Sequence, residues 1–150
     1  MSQKFTLQPL LELMRERTDE ASRRLGEVIA VEQSARSKLQ LLLDYRSEYV
    51  QRFQEAQVQG LTLQVWQNYQ AFLNKIDDAI RQQTAQVEAS AQNTAAAQQY
   101  WQTQNTRLKA IDTLSARHDR KVQYQENRQE QKLLDEFASR HYPAATKAHD

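Results

Sequence analysis

Three histidines, His118, His141 and His149, are the side chains best suited to hold a metal or move a proton near neutral pH. They stand too far apart to share one helical face, and His141 and His149 read as solvated tail residues. Carboxylate pairs such as Asp77 with Asp78 and Asp135 with Glu136 are adjacent in sequence. Adjacent residues point in different directions on a helix, so neither pair makes an acid-base dyad. The chain has no cysteine, which excludes disulfides and thiolate zinc sites and suits a reducing compartment. A phosphate-binding GxxxxGK[ST] loop, an HExxH helix and EF-hand spacing are all missing. No catalytic residue, metal, cofactor or small-molecule substrate is expected, and the chain does not read as an enzyme.

The residues that remain are apolar and aromatic. Placing Leu42, Tyr49 and Ile76 at the core d positions of a heptad puts Tyr45, Phe72 and Ala79 at g. In an antiparallel hairpin g faces g′ along one edge, and large apolar groups there widen the stripe beyond what two helices bury. Two readings follow: a thicker core, or an exposed docking patch for another protein.

Long helices must position these side chains, because the sequence has almost nothing to end one. Its 150 residues include two prolines, Pro9 and Pro143, near the ends, and two glycines, Gly26 and Gly60. Thr6 can cap a first helix, with Phe5 and Leu10 as a hydrophobic staple and Pro9 tolerated in the first turn. A three-four alternation then runs Leu7, Leu11, Met14, Thr18, Ala21, Leu25, Val28, Glu32, Ala35, Leu39, Leu42, Arg46, Tyr49, Phe53, Ala56. This seam has three polar interruptions and requires a coiled-coil partner. Acid-first pairs, Asp19 to Arg23, Glu20 to Arg24, Glu32 to Arg36 and Glu48 to Arg52, support the outer face by about 0.2 to 0.5 kcal/mol each.

A second seam starts after Gly60: Trp66, Tyr69, Leu73, Ile76, Ile80, Gln83, Val87, Ser90, Thr94, Ala97, Trp101, Gln104, Leu108, Ile111. Gly60 can end a helix in a left-handed conformation and Thr62 can cap the next, whereas Gly26 reads as a tolerated helix glycine. The fold class is therefore all-α: a long two-stranded antiparallel coiled-coil hairpin with an extended C-terminal helix. Helix 1 is expected over about residues 6–57, a turn over about 58–61, helix 2 over about 62–140 and a tail over 141–150, as one hairpin domain.

Folding at the turn pairs positions whose numbers sum to about 121, such as Tyr49 with Phe72. The tip should then pack best and the small-residue centre, around Ser90, Thr94 and Ala97, should pack thinly. The second helix should overhang without a partner from about residue 118. Its Leu133, Leu134 and Phe137 must fold back on Leu7, Leu10 or Leu11, or meet another protein.

Composition limits the partners. Mean hydropathy is −0.87, so no thick core is available. The net charge of +1, from 20 basic and 19 acidic residues, gives no overall field toward phosphate, and nucleic acid is not expected as a partner. Arg15 and Glu16 interrupt the first apolar patch too early for a signal peptide, and no run of 18 apolar residues exists. The expected location is cytoplasmic.

Three stretches carry a resemblance. They are FTLQPLLELMRERTDEASRRLGEV at 5–28, LLLDYRSEYVQRF with the Gly60 turn and WQNYQAFLNKIDDAI, and ENRQEQKLLDEFASR at 126–140. Together they resemble the FliJ family of bacterial flagellar type III export proteins. The resemblance implies an antiparallel coiled coil similar to the stalk of rotary ATPases. Such a stalk sits in the hexameric export ATPase ring, promotes its assembly and activity, and contacts the cytoplasmic domain of the export gate protein and export chaperones. Peripheral placement at the inner membrane, through those partners, follows from the same likeness.

Mapped onto this sequence, the gate contact falls to Leu42, Tyr45, Tyr49, Phe72, Ile76 and Ala79. The ring contact falls to Leu7, Leu11, Arg15, Arg128, Lys132, Leu133 and Glu136. Alternatives are the homologous stalk of a virulence-type injectisome, a general export chaperone, and an adaptor coiled coil that homodimerises through its seam.

Overall fold

The computed structural model describes residues 5–141; Pro143, His149 and most of the expected tail lie outside them. Two helices, α1 (Gln8–Gln59) and α2 (Leu63–His141), pack against each other as an antiparallel hairpin. No strand occurs among the described residues.

α1 starts two residues later than its capping signal implied. Residues 5–8 form a turn closed by Gln8 N donating to Phe5 O at 3.1 Å, and the Leu11 N to Leu7 O bond opens the helix. Leu7 rather than Thr6 therefore occupies the capping position. Phe5 packs beside the His118 ring, with centroids 5.4 Å apart, and Leu10 is exposed. The turn between the helices is built as its residues dictate. Gly60 has a φ of 95°, Gly60 N donates to Gln57 O at 3.2 Å, and Thr62 Oγ1 accepts from Val65 N at 3.2 Å. That last bond satisfies one of the open amides at the start of α2.

The two glycines make opposite predictions. Gly60→Ala forces a β-carbon into a positive-φ conformation and is expected to cost about 1 to 2 kcal/mol. Gly26 lies inside α1 with nothing within 4 Å of where a β-carbon would stand. Gly26→Ala is expected to stabilise by about 1 kcal/mol. Thermal melts followed by circular dichroism check both signs.

The chain falls into two compact units: Thr18–Gln104, and the remaining described residues up to Arg17 and from Asn105 on. Within Thr18–Gln104 the buried side chains follow the two seams, with Ala21, Val28, Ala35 and Phe53 from α1 facing Ile76, Val87 and Ser90 from α2. The pairing holds the expected register: Tyr49 meets Phe72 and Phe53 meets Tyr69, while Gln83 Nε2 donates to Ala35 O at 2.9 Å.

The seam interruptions are partnered polar groups. Arg46 Nε donates to Asp77 Oδ1 at 2.6 Å across the hairpin, and Glu32 takes Arg36 Nε at 3.0 Å while facing the Thr94 hydroxyl. Arg24 pairs with Glu27 at 3.8 Å rather than with the Glu20 expected for it.

Packing depth follows the expectation only in part. At the small-residue centre Ser90 is buried, with Val28 and Val87 nearby, whereas Thr94 and Ala97 are half-buried; at the tip Ile76 and Phe53 are buried. Small side chains fit wholly between two helices. The aromatic tip exceeds what two helices can cover, so Tyr45, Trp66 and Phe72 keep exposed edges.

In the other unit Leu11 and Met14 are buried, and Arg15 pairs with Asp112 at 3.3 Å. The seam of α2 stays half-buried through Ser115, His118 and Val122. Every described residue from Gln123 onward is exposed, so the overhang begins about one turn later than expected, after the Phe5 contact.

Candidate functional site

The candidate gate residues converge on one cluster. Tyr45 and Tyr49 are one turn apart on α1, and Tyr69, Phe72 and Ile76 lie at helical spacing on α2, so each set faces one way. Tyr49 stands at the centre, 5.1 Å from Tyr69 and 4.6 Å from Phe72 by ring centroids. Tyr45 meets Phe72 edge-on at 6.1 Å, a favoured aromatic geometry. Burial pushes the Tyr49 phenol above its ordinary range, with Tyr69 and Tyr45 adding to the effect.

The cluster is graded from core to surface. Ile76 is 5% exposed and belongs to the core; Leu42, Tyr49 and Ala79 are half-buried; Phe72 at 36% and Tyr45 at 46% are open to solvent. The aromatic edge therefore divides by depth. Tyr49 and Ile76 thicken the core, and Tyr45 and Phe72 form an exposed apolar edge.

Charge frames this edge. Asp77 reaches across to Arg46, whereas its neighbour Asp78 pairs with Arg81 on its own helix. The two carboxylates point apart and form no dyad. The Arg46 guanidinium bonded to Asp77 holds that carboxyl below the usual range, and the Thr94 hydroxyl, then Arg36, does the same for Glu32.

A carboxyl lowered by folding contributes stability at pH above its unfolded value of about 4, and that contribution is lost as pH falls through the folded value. The melting temperature is expected to stay level from pH 7 to about 5 and drop below about 4. Asp77→Asn should shrink that drop; melts at pH 7 and pH 3 decide it.

The candidate ring residues are dispersed by comparison. Leu11 is 2% exposed and lies in the seam, so it cannot be a contact surface, and Arg15 is occupied with Asp112. Leu7 is exposed, as are Arg128, Lys132, Leu133 and Glu136 on the overhang. The Arg128 guanidinium lies over the Tyr124 ring at 6.0 Å. Leu133 is accompanied by Leu134 and Phe137, at 66%, 63% and 59% exposure. These side chains do not fold back, which leaves them free for a partner. Phe137, four residues after Leu133, lies on the same face of the helix. Among the described residues no group of three His, Cys, Asp or Glu side chains could hold a metal, and no helix is long and apolar enough to cross a membrane.

A family model described as flagellar FliJ protein matches residues 3–147. The chain belongs to the FliJ family. Proteins named flagellar FliJ protein from Salmonella typhi and from Escherichia coli (strain K12) are each 34% identical to it over 140 residues. The alignments cover 93% of this chain and 95% of each relative. The family is a flagellar one, which fits the all-α hairpin to a flagellar setting.

Proposed function

We propose that the chain is a non-enzymatic stalk component of the flagellar type III protein export apparatus. It binds the hexameric export ATPase ring, promotes its assembly and activity, and links it to the cytoplasmic domain of the export gate protein and to export chaperones. The observation that carries the reading is the match of residues 3–147 to a flagellar family. The exposed Tyr45 and Phe72 edge supports the gate contact, and the uncovered overhang around Leu133, with Arg128, Lys132 and Glu136 beside it, supports the ring contact, to which Leu7 and Arg15 on α1 are also assigned.

A stalk in a ring acts by binding. It favours the assembled hexamer only by as much as it prefers the ring to free subunits, and it adds no catalytic group. The protein works in the cytoplasm, at the inner face of the membrane through its partners. A flagellar rather than an injectisome apparatus is favoured because both relatives carry the flagellar name. The capped turn at Gly60 and Thr62 argues against an adaptor of straight paired helices. Mass photometry of the cognate ATPase tests the reading: hexamer should accumulate at lower ATPase concentration when the chain is added, and an unchanged oligomer distribution would refute it.

A further inference from the structure

The net charge of +1 conceals a segregation of charge along α2. Arg117, Arg120, Lys121, Tyr124, Arg128 and Lys132 stand at i, i+3, i+4, i+7, i+11 and i+15, which puts them on one side of the helix. The acidic residues of the same stretch, Asp119, Glu126 and Glu130, fall on the opposite side. At about 1.5 Å per residue the basic stripe is about 22 Å long, and Asp135 closes it. All six of its side chains are exposed, and the half-buried residues of this stretch, His118 and Val122, lie off it. No ion pair with a described residue engages any of its cations. Arg120 Nε donates to Ala116 O at 3.4 Å within the helix, Arg128 lies over the Tyr124 ring, and Lys121, Tyr124 and Arg128 line a shallow groove. The fold leaves these charges to solvent.

We infer that this stripe is a docking surface for anionic lipid headgroups, on which α2 lies lengthwise against a membrane. Each Lys or Arg held near an anionic bilayer adds to the attraction, and five on one helix face fall within the cluster size that binds such lipid, about four to eight. Shape selects the occupant. A plane touches one side of a helix and leaves Asp119, Glu126 and Glu130 about 10 Å away on the far side, where salt screens them. A nucleic-acid groove walls a helix on several sides and would meet those carboxylates. A protein surface is the weaker match, because the stripe has no apolar anchor besides Tyr124 and single exposed ion pairs contribute little. Leu133 and Phe137 lie on the acidic side, so the contact is adsorption at the headgroups without insertion, and that apolar face stays open while lipid is bound. Arg128 and Lys132 are also candidate ring residues, so a lipid-bound chain is a separate state from a ring-bound one. The lipid contact does not rest on the ring reading.

The test is co-sedimentation of the full chain with vesicles of phosphatidylcholine, alone and with about 30% phosphatidylglycerol. The wild-type chain should partition at least about tenfold more strongly onto the anionic vesicles, and raising salt from about 50 to about 300 mM should remove most of that difference. Arg117→Gln with Lys121→Gln leaves every candidate ring residue in place and should weaken partition at least about tenfold, with circular dichroism unchanged. Glu126→Gln with Glu130→Gln removes charge from the far side and should change partition less than about threefold. Equal retention of the wild-type chain on neutral and anionic vesicles, or full retention of the Arg117 and Lys121 variant, overturns the inference. A far-side variant that gains as much as the basic variant loses would put net charge in place of the stripe, and overturns it too. Tighter binding to a short nucleic-acid duplex than to the anionic vesicles, or binding of a glutamate-rich peptide without vesicle retention, would overturn the choice of lipid.

Discussion

Replacing Tyr45 and Phe72 together with alanine is expected to weaken binding to the gate's cytoplasmic domain about 100-fold while leaving helicity intact. Tyr45 and Phe72 touch each other edge-on and keep open faces, so a partner would bury both rings at once. Large aromatic groups that lose their remaining water on binding are the usual anchors of an interface. The core beneath does not depend on them, because Phe53 and Ile76 are buried in their own right. Ile76→Ala is the contrasting case. It opens a cavity at a 5% exposed position and should cost about 2 to 5 kcal/mol of stability. A loss of helicity in the Tyr45 and Phe72 variant would show that the edge is core after all.

The second large effect concerns the overhang. Leu133→Ala with Phe137→Ala is expected to raise at least tenfold the concentration of chain that half-maximally stimulates the export ATPase. Both side chains are more than half exposed, and alanine is at least as good a helix former as either residue it replaces. The variant loses the stacking of Phe137 on His141, at 3.9 Å, which is local to the last turn. Helix content should hold while stimulation is lost. Stimulation at the wild-type concentration would move the ring contact away from this face.

Much of this fold is legible in the residues because coiled coils are written in periodicity. Ala21, Val28, Ala35, Ile76, Val87 and Ser90 were placed by three-four spacing and are all buried, and Gly60 with Thr62 marked the turn through backbone rules alone. Packing depth is harder to read, since it depends on how closely two helices approach. Ser90 looked like a weak point and is 4% exposed, because a small side chain lets the facing helix close over it.

α1 begins at Gln8 rather than near residue 6. Thr6 has the right chemistry for a cap, but the turn from Phe5 to Gln8 uses that stretch before the helix begins. The aromatic edge was visible as residues at g positions; its division into buried Ile76 and exposed Tyr45 required the actual geometry. Leu11 fits the seam and also the family analogy for ring contact, and only its burial separates the two.

ATP hydrolysis by the cognate export ATPase, measured with and without the full chain at moderate salt, addresses the stalk claim most directly. The stalk account predicts faster hydrolysis with the wild-type chain, together with a stabilised ring, and loss of both with the Leu133 and Phe137 variant. An unchanged rate with a folded wild-type chain, at concentrations that saturate any measured binding, would contradict it.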